Sequence, residues 1–341
     1  MAVDKMNQSQ NNDSLFYKSV NTYKKDINQK RLHITVDFEE MFDWSDLSKG
    51  NELINGLNDI ENFHQRCLDN KIQPTYLVTY KVLCSEAAVA LLKSMYSGNK
   101  EIGIHLHCWN TPPFEDKISD FNSFQCHLPA SLEMLKIERL FSLFEEKLGF
   151  KPVIHRAGRY GASQQTLDCL NTLGIKVDLS PSAGFNFEKF KGPNFSSLNN
   201  NPFWSDCDKQ LLCIPVPSVN FFKGPDFITS KIFKVINLLP QQHEYKKFLY
   251  RYFSSTPVRL SPESNSLSRM KAIGIELDKQ GINDVFLSVH STSLYSGGNM
   301  YSTNDLYALR NIENIINYAI WSKDLLKTRL STPLEALNFY Q

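Results

Sequence analysis

LHITVDFEE, residues 32–40, is a short apolar run that ends in an acidic cluster, Asp37, Glu39 and Glu40. Four other apolar runs end in the same way: EIGI in His105 and His107, PVI in His155 and Arg156, IKV in Asp178, and VFLSV in His290. If these runs are parallel strands, their carboxyl ends share one rim and bring distant residues together there.

The intervening sequence supports that reading. Strands are expected at 32–36, 75–79, 101–106, 152–155, 175–179, 211–216 and 285–289, with a short one near 328–331. Helical patterns fill 51–69, 85–96, 129–148, 163–172 and 304–326, the βα rhythm of a parallel sheet or barrel. Two stretches break the rhythm. Residues 181–210, rich in Asn, Gly, Pro, Ser and Phe, read as a long irregular connection of the kind that is usually functional. Residues 221–282 read as a mainly helical insertion whose lysines and arginines, Arg259 among them, are expected to form solvated helix faces, the alternative being a basic flap that attracts a phosphorylated or anionic saccharide. Residues 1–30 have few apolar positions and read as a mobile polar arm, leaving 31–341 as a single domain.

Composition limits the function. The 341 residues carry 37 basic and 36 acidic side chains, so no global field favours nucleic acid or an anionic membrane. No stretch reaches the roughly 18 consecutive apolar residues of a membrane span. The amino terminus has no charged segment followed by an apolar one, and the 7 cysteines show no CxxC spacing. A soluble, cytoplasmic protein with reduced thiols is expected.

Strand alternation then orders the rim. Asp37 and Glu39 point one way, and His105 and His107 share a face. Imidazoles at i and i+2 lie roughly 6.6 Å apart at Cα, close enough for both to reach one metal ion. With Glu39 they form a two-histidine, one-carboxylate set that leaves positions open for water and substrate, as in catalytic zinc sites. Asp37 remains beside it as a base for the attacking water, and His290 is placed to protonate a leaving amine. Arg156 can pair with Asp37 and keep it ionised, while a backbone N–H near Tyr160 can face the oxyanion.

Five segments together resemble the polysaccharide deacetylase family, the NodB-homology fold of carbohydrate esterase family 4, and within it a WalW-like branch. They are TVDFEEMFDW (35–44), EIGIHLHCWNTPP (101–113), RAGRYG (156–161), LGIKVDLS (173–180) and VHSTSLYSGGNMY (289–301). The resemblance implies an α/β fold, a distorted (β/α)7 barrel with a helical insertion before the last catalytic strand. It also implies one divalent metal ion, with zinc expected, and hydrolytic removal of an acetyl group from an N- or O-acetylated sugar. Carried over, it assigns Asp37 as base, an acidic ligand in the first motif, His105 as ligand, Arg156 as the base's partner and His290 as acid. Phe38 separates the base from its acidic ligand, which becomes Glu39 or Glu40. Trp109 stands where the common HxxxH spacing has its second histidine, so His107 takes that place. RAGRYG replaces the commoner RxPY and adds Arg159, a cation suited to a phosphate or carboxylate.

The aromatic residues Trp44, Trp109, Tyr160, Trp204 and Tyr295, with Arg159 and Asp178, are expected to contact the substrate, since aromatic faces stack on sugar rings. The reading is a metal-dependent deacetylase acting on an acetylated glycan precursor or nucleotide-linked sugar. The alternatives are a non-catalytic saccharide-binding protein on the same scaffold and a metal-dependent glycosyltransferase using Asp37 and Glu39.

Overall fold

The computed structural model describes residues 29–43, 47, 53–96, 101–115, 118–206, 208–221 and 257–341. The arm expected over residues 1–30 therefore lies almost wholly outside the described residues, as do Trp44 and most of the expected 221–282 insertion.

The first strand, β1 (Arg31–Phe38), is buried along its whole length, as a strand of a parallel sheet covered on both faces must be. Leu32, Ile34, Val36 and Phe38 join the outer core, under the helices. Arg31, His33, Thr35 and Asp37 take the opposite face. The chain continues through α1 (Leu57–Asp69), β2 (Thr75–Val78), α2 (Tyr80–Cys84), α3 (Glu86–Met95), β3 (Ile102–Leu106), α4 (Ala130–Leu148), β4 (Ile154–Ala157), α5 (Gln164–Leu173) and β5 (Val177–Asp178). Ser85 caps α3 by accepting from the Ala88 N–H, and Gly149, at φ +82°, ends α4 in the left-handed region that glycine adopts without strain.

After β5 come β6 (Phe203–Trp204), β7 (Leu212–Cys213), β8 (Ser218–Val219), β9 (Val258–Arg259), α6 (Leu267–Lys279), β10 (Asp284–His290), α7 (Asp305–Leu325), β11 (Arg329–Leu330) and α8 (Pro333–Tyr340). The described part of the expected helical insertion is thus a strand followed by a helix. β8 and β9 pair antiparallel with each other, apart from the main sheet.

The main sheet has the order β10-β1-β2-β3-β4-β5-β7-β6, with β11 beside the start of β1. Seven strands, β10 through β7, run parallel, and only β6 is antiparallel, on β7. The sheet is curled. Phe286 of β10 and Leu212 of β7, near opposite ends of that order, share one apolar cluster with Leu77, Ile154, Val177 and Tyr340. Side chains so far apart along a flat sheet could not meet, so the cluster is the barrel's interior, closed below by α8.

Beneath the rim, the interior polar residues of β1 and β10 are paired across the strands. Asp284 accepts from Arg31 Nε at 2.7 Å and contacts His33 Nε2 at 2.9 Å, and Thr35 Oγ1 meets Ser288 Oγ at 3.0 Å. The register sets Asp37 directly against His290, so base and acid candidates emerge side by side.

Candidate metal centre and catalytic cleft

At the carboxyl ends of β1 and β3, Glu39, His105 and His107 converge, all three buried, with ligand atoms within 4.8 Å of one another. Glu39 Oε2 lies 3.5 Å from His107 Nε2 and 4.0 Å from His105 Nε2. Donors on a tetrahedral ion with bonds of about 2.0 Å lie about 3.3 Å apart, so small side-chain movements close this set around one cation. Both rings are already oriented. His105 Nδ1 is 3.0 Å from the Arg156 carbonyl, to which it donates, and His107 Nδ1 is 3.2 Å from Glu40 Oε1. Each ring thereby turns its Nε2 towards Glu39. Orientation through the second nitrogen is how metal-binding histidines are held.

Glu39 and Glu40 consequently differ in surroundings. Glu40 is tied to Thr79 Oγ1 at 2.8 Å, to Asn110 and to His107 Nδ1, and although burial opposes its charge, these hydrogen bonds hold its carboxyl below the ordinary range. Glu39 has no such anchors on its carboxylate. Burial first, then the neighbouring charges of Glu40, Asp37 and Glu263, push it well above the ordinary range against the pull of His290. A buried carboxylate so destabilised as an anion fits a place for a cation. Burial likewise brings His105 down to about 3, leaving it the neutral ring that a metal requires.

Asp37 stands beside this cluster on the same face of β1. Arg156, fully buried at the end of β4, donates from Nη1 to Asp37 Oδ1 at 2.6 Å, from Nη2 to Thr35 Oγ1 at 3.0 Å, and from Nε to the Leu179 carbonyl at 3.3 Å. Burial raises the Asp37 carboxyl, but Arg156, His105 and His290 outweigh it and hold the group ionised below its ordinary range. The acid candidate has a partner of its own. His290 Nδ1 and its backbone N–H both meet Glu263 Oε1 at 3.0 Å. Burial lowers the imidazole, but Glu263, Glu39 and Asp37 outweigh it and raise it well above the ordinary histidine value.

The sequence reading missed Glu263, which fell in the segment taken as helical. A local signal was present: Val258 and Leu260 alternate with Arg259, as in a strand, three residues before Glu263. Its strand character was hidden by the long surrounding stretch of helical pattern.

These groups line a cleft of about 720 Å³. Of the aromatic residues expected from sequence, Tyr160 is on its walls. Phe42, Phe124, Tyr160, Phe185 and Phe187 line it, whereas Trp109, Trp204 and Tyr295 do not. Trp109 stacks on His107, centroids 4.2 Å apart, and braces the ligand instead. Trp204 sits in the interior cluster with Leu212 and Ile214. Tyr295 packs on Gly56, where a Cβ would fall 2.1 Å from its ring, so that glycine has no room for a side chain.

Asp178 is also absent from the cleft. It pairs in register with His155, and by alternation both face away from Arg156 and the interior. Its Oδ1 is 2.8 Å from His155 Nδ1 and accepts from Ser180 Oγ at 2.5 Å, so it serves the strand ends as a buried structural acid.

Arg159 and Tyr160 do line the cleft, on a turn where both adopt positive φ, 54° and 59°. Non-glycine residues held in that region are strained and tend to occur at functional sites. Tyr160 also carries its ring beside Arg156, whose guanidinium carbon is 6.0 Å from the ring centroid.

The curled parallel sheet, with the buried Glu39–His105–His107 cluster at its carboxyl rim, has a (β/α)-barrel fold similar to that of proteins assigned as polysaccharide deacetylases. Among solved structures, a Mycobacterium smegmatis protein assigned as a polysaccharide deacetylase superposes with a TM-score of 0.50 and 10% identity, over 95% of this chain and 94% of its own. A Pseudomonas aeruginosa protein with the same assignment gives 0.47 and 11%, covering 91% and 90%, and PuuE allantoinase gives 0.48 and 11%, covering 91% and 89%. No family profile matches the sequence, and no curated protein does. The shared feature is the fold, and nothing in these comparisons bears on a WalW-like branch.

Proposed function

We propose that the protein is a metal-dependent hydrolase that removes an acetyl or similar acyl group from a sugar. The observation that carries this reading is the convergence, in one cleft, of a buried Glu39–His105–His107 set with two oppositely tuned groups, Asp37 held ionised and His290 held protonated. The barrel shared with the Mycobacterium smegmatis protein supports it, since that protein is assigned to polysaccharide deacetylation.

Glu39, His105 and His107 would hold the ion, and zinc suits two imidazoles and a carboxylate. Such an ion supplies Lewis-acid activation of water and of the acyl carbonyl. The chain supplies the proton transfers. Asp37, fixed by Arg156, accepts the proton of the attacking water. His290, its Nδ1 held by Glu263, presents Nε2 to the cleft and gives its proton to the departing amine or alkoxide. Glu40 and the Arg156 carbonyl fix the two ligand rings, and Trp109 supports His107 from behind. The turn at Tyr160 lies beside this machinery, and its backbone N–H is assigned to the carbonyl oxygen as charge develops there.

Trp44 stays in this reading as a sugar-stacking residue, close in sequence to the cleft-lining Phe42. The compartment is assigned as the cytoplasm: Cys67, Cys84, Cys108, Cys126, Cys169 and Cys213 are all free thiols. No helix among the described residues is long and apolar enough to cross a membrane. A cytoplasmic location favours a glycan precursor or nucleotide-linked sugar over finished wall polymer.

The test is acetate release from a panel of N- and O-acetylated sugars by the full chain, before and after chelation and zinc restoration. Activity that chelator abolishes and zinc restores, and that a folded His105→Ala variant lacks, is expected. A metal-replete protein that releases no acetate from any acetylated sugar would refute the reading.

A further inference from the structure

The cleft is lined by cations as well as carboxylates. Arg159, Arg259 and Arg269 all line it. Arg269 has other partners, but Arg159 and Arg259 form no ion pair with any carboxylate among the described residues. Arg159 lies over the Phe124 ring at 4.2 Å and donates to Ser123 Oγ. Arg259 is held between two rings, its guanidinium carbon 4.4 Å from the Tyr160 centroid and 4.6 Å from that of Phe185.

This arrangement has a chemical consequence. A guanidinium is always charged, and its five N–H donors lie along its edge. Rings on its faces fix the group and lower the entropy cost of using it, while leaving the donor edge uncovered. At Arg259 two rings pack against the guanidinium, and its side chain has no hydrogen-bond acceptor among the described residues. A fixed, half-buried fork without a counter-ion matches the planar oxygens of phosphate or carboxylate. Tyr160 links this fork to the reacting groups, because the same ring also lies 6.0 Å from Arg156, the partner of Asp37. An anion bound at Arg259 would therefore sit within one substrate molecule's reach of the acyl group.

We propose that the substrate is an acylated saccharide that itself carries an anionic group, phosphate or carboxylate, and that Arg259 with Arg159 receives that group. This rests on reading the Asp37, His290 and Glu39–His105–His107 part of the cleft as a deacetylation site, and it adds the chemical class that the site selects. The polarity sets the orientation. Arg259 and Arg159 receive the charged group, and the uncharged acyl group faces Asp37 and His290.

The test separates anion recognition from catalysis by measuring binding. Titration calorimetry on the full chain, at fixed ionic strength, compares N-acetylglucosamine 1-phosphate, N-acetylglucosamine 6-phosphate, UDP-N-acetylglucosamine and N-acetylmuramic acid with neutral N-acetylglucosamine and chitobiose. A charged sugar is expected to bind about tenfold or more tightly than its neutral counterpart. That ratio should fall towards one in Arg259→Gln, with Arg159→Gln lowering it in part. A phosphate or a carboxylate arm that alone shows the preference supports the proposal and identifies the anion.

Equal affinity for charged and neutral sugars would overturn the proposal. So would an unchanged ratio in Arg259→Gln, or a fall in charged and neutral affinities by the same factor, which would make Arg259 a structural clamp. An anion preference without any acetate release would count against the deacetylase reading and leave the arginine subsite standing.

Discussion

Glu263 receives both the backbone N–H and the imidazole Nδ1 of His290 at 3.0 Å, from a position 27 residues earlier in the chain. The contact fixes the ring, directs Nε2 to the cleft and favours the protonated form. Because Glu263 and its neighbours raise His290 and Arg156 lowers Asp37, the proposed acid is held protonated and the proposed base ionised over the same neutral range. The kcat/KM profile should fall on the acid side as Asp37 takes up a proton and on the alkaline side as His290 loses one. Glu263→Gln should move the alkaline limb to lower pH and reduce kcat by about 10- to 100-fold. An alkaline limb unmoved by Glu263→Gln would remove His290 from the acid role.

Glu40 acts through His107 in this site, so its loss should weaken metal retention without abolishing it. Glu40→Gln is expected to lower zinc affinity about 10- to 100-fold, whereas His107→Ala removes a ligand and should leave the purified protein without stoichiometric metal. Elemental mass spectrometry after dialysis against graded chelator checks both. Stoichiometric metal in His107→Ala would exclude the two-histidine set.

Aromatic residues on the cleft wall and in the barrel interior should separate by phenotype. Phe187→Ala removes a cleft-lining ring and should raise KM several-fold with little change in kcat. Trp204→Ala opens a void among Leu212 and Ile214 and should cost about 3–5 kcal/mol of stability. Steady-state kinetics beside denaturant titration tests the pair, and a binding defect from conservative Trp204→Phe would place that residue at the substrate after all.

Asp284 anchors the lower barrel. Burial raises its carboxyl, but hydrogen bonds from Arg31 and His33 outweigh it and depress the group far below an ordinary aspartate. A depressed carboxyl contributes stability above its unfolded value, near about 3.9, and loses that contribution as pH falls towards the folded value. Asp284→Asn, which leaves Arg31 buried without its counter-charge, should cost about 3–5 kcal/mol at neutral pH. Its stability should then depend less on pH below about 4 than the wild type's does. Parallel acid profiles from urea titration would show that the Arg31 pair adds nothing.

Much of the site is legible in the amino-acid sequence because alternation along a strand is a local rule. Asp37 and Glu39 had to share a face, as did His105 and His107, and ends of parallel strands had to meet at one rim. The same rule applies to Asp178, but only the pairing of β5 with β4 shows which of its faces looks inward. Trp109, Trp204 and Tyr295 went astray for a related reason. An aromatic residue near a motif packs wherever space remains, and that space is set by neighbours such as His107, Leu212 and Gly56.

The sequence by itself determined the βα order, the seven parallel strands' place in it and the residue types on the rim, because periodicity and turn chemistry act within a few neighbours. Tertiary structure alone decided that Glu40 holds the ring of His107 and that Glu263 holds His290. It also decided that Arg259 stands in the cleft with no carboxylate partner among the described residues. Each of these joins residues far apart in the chain or rests on which partners a folded surface leaves out, and burial and distance in three dimensions settle such matters.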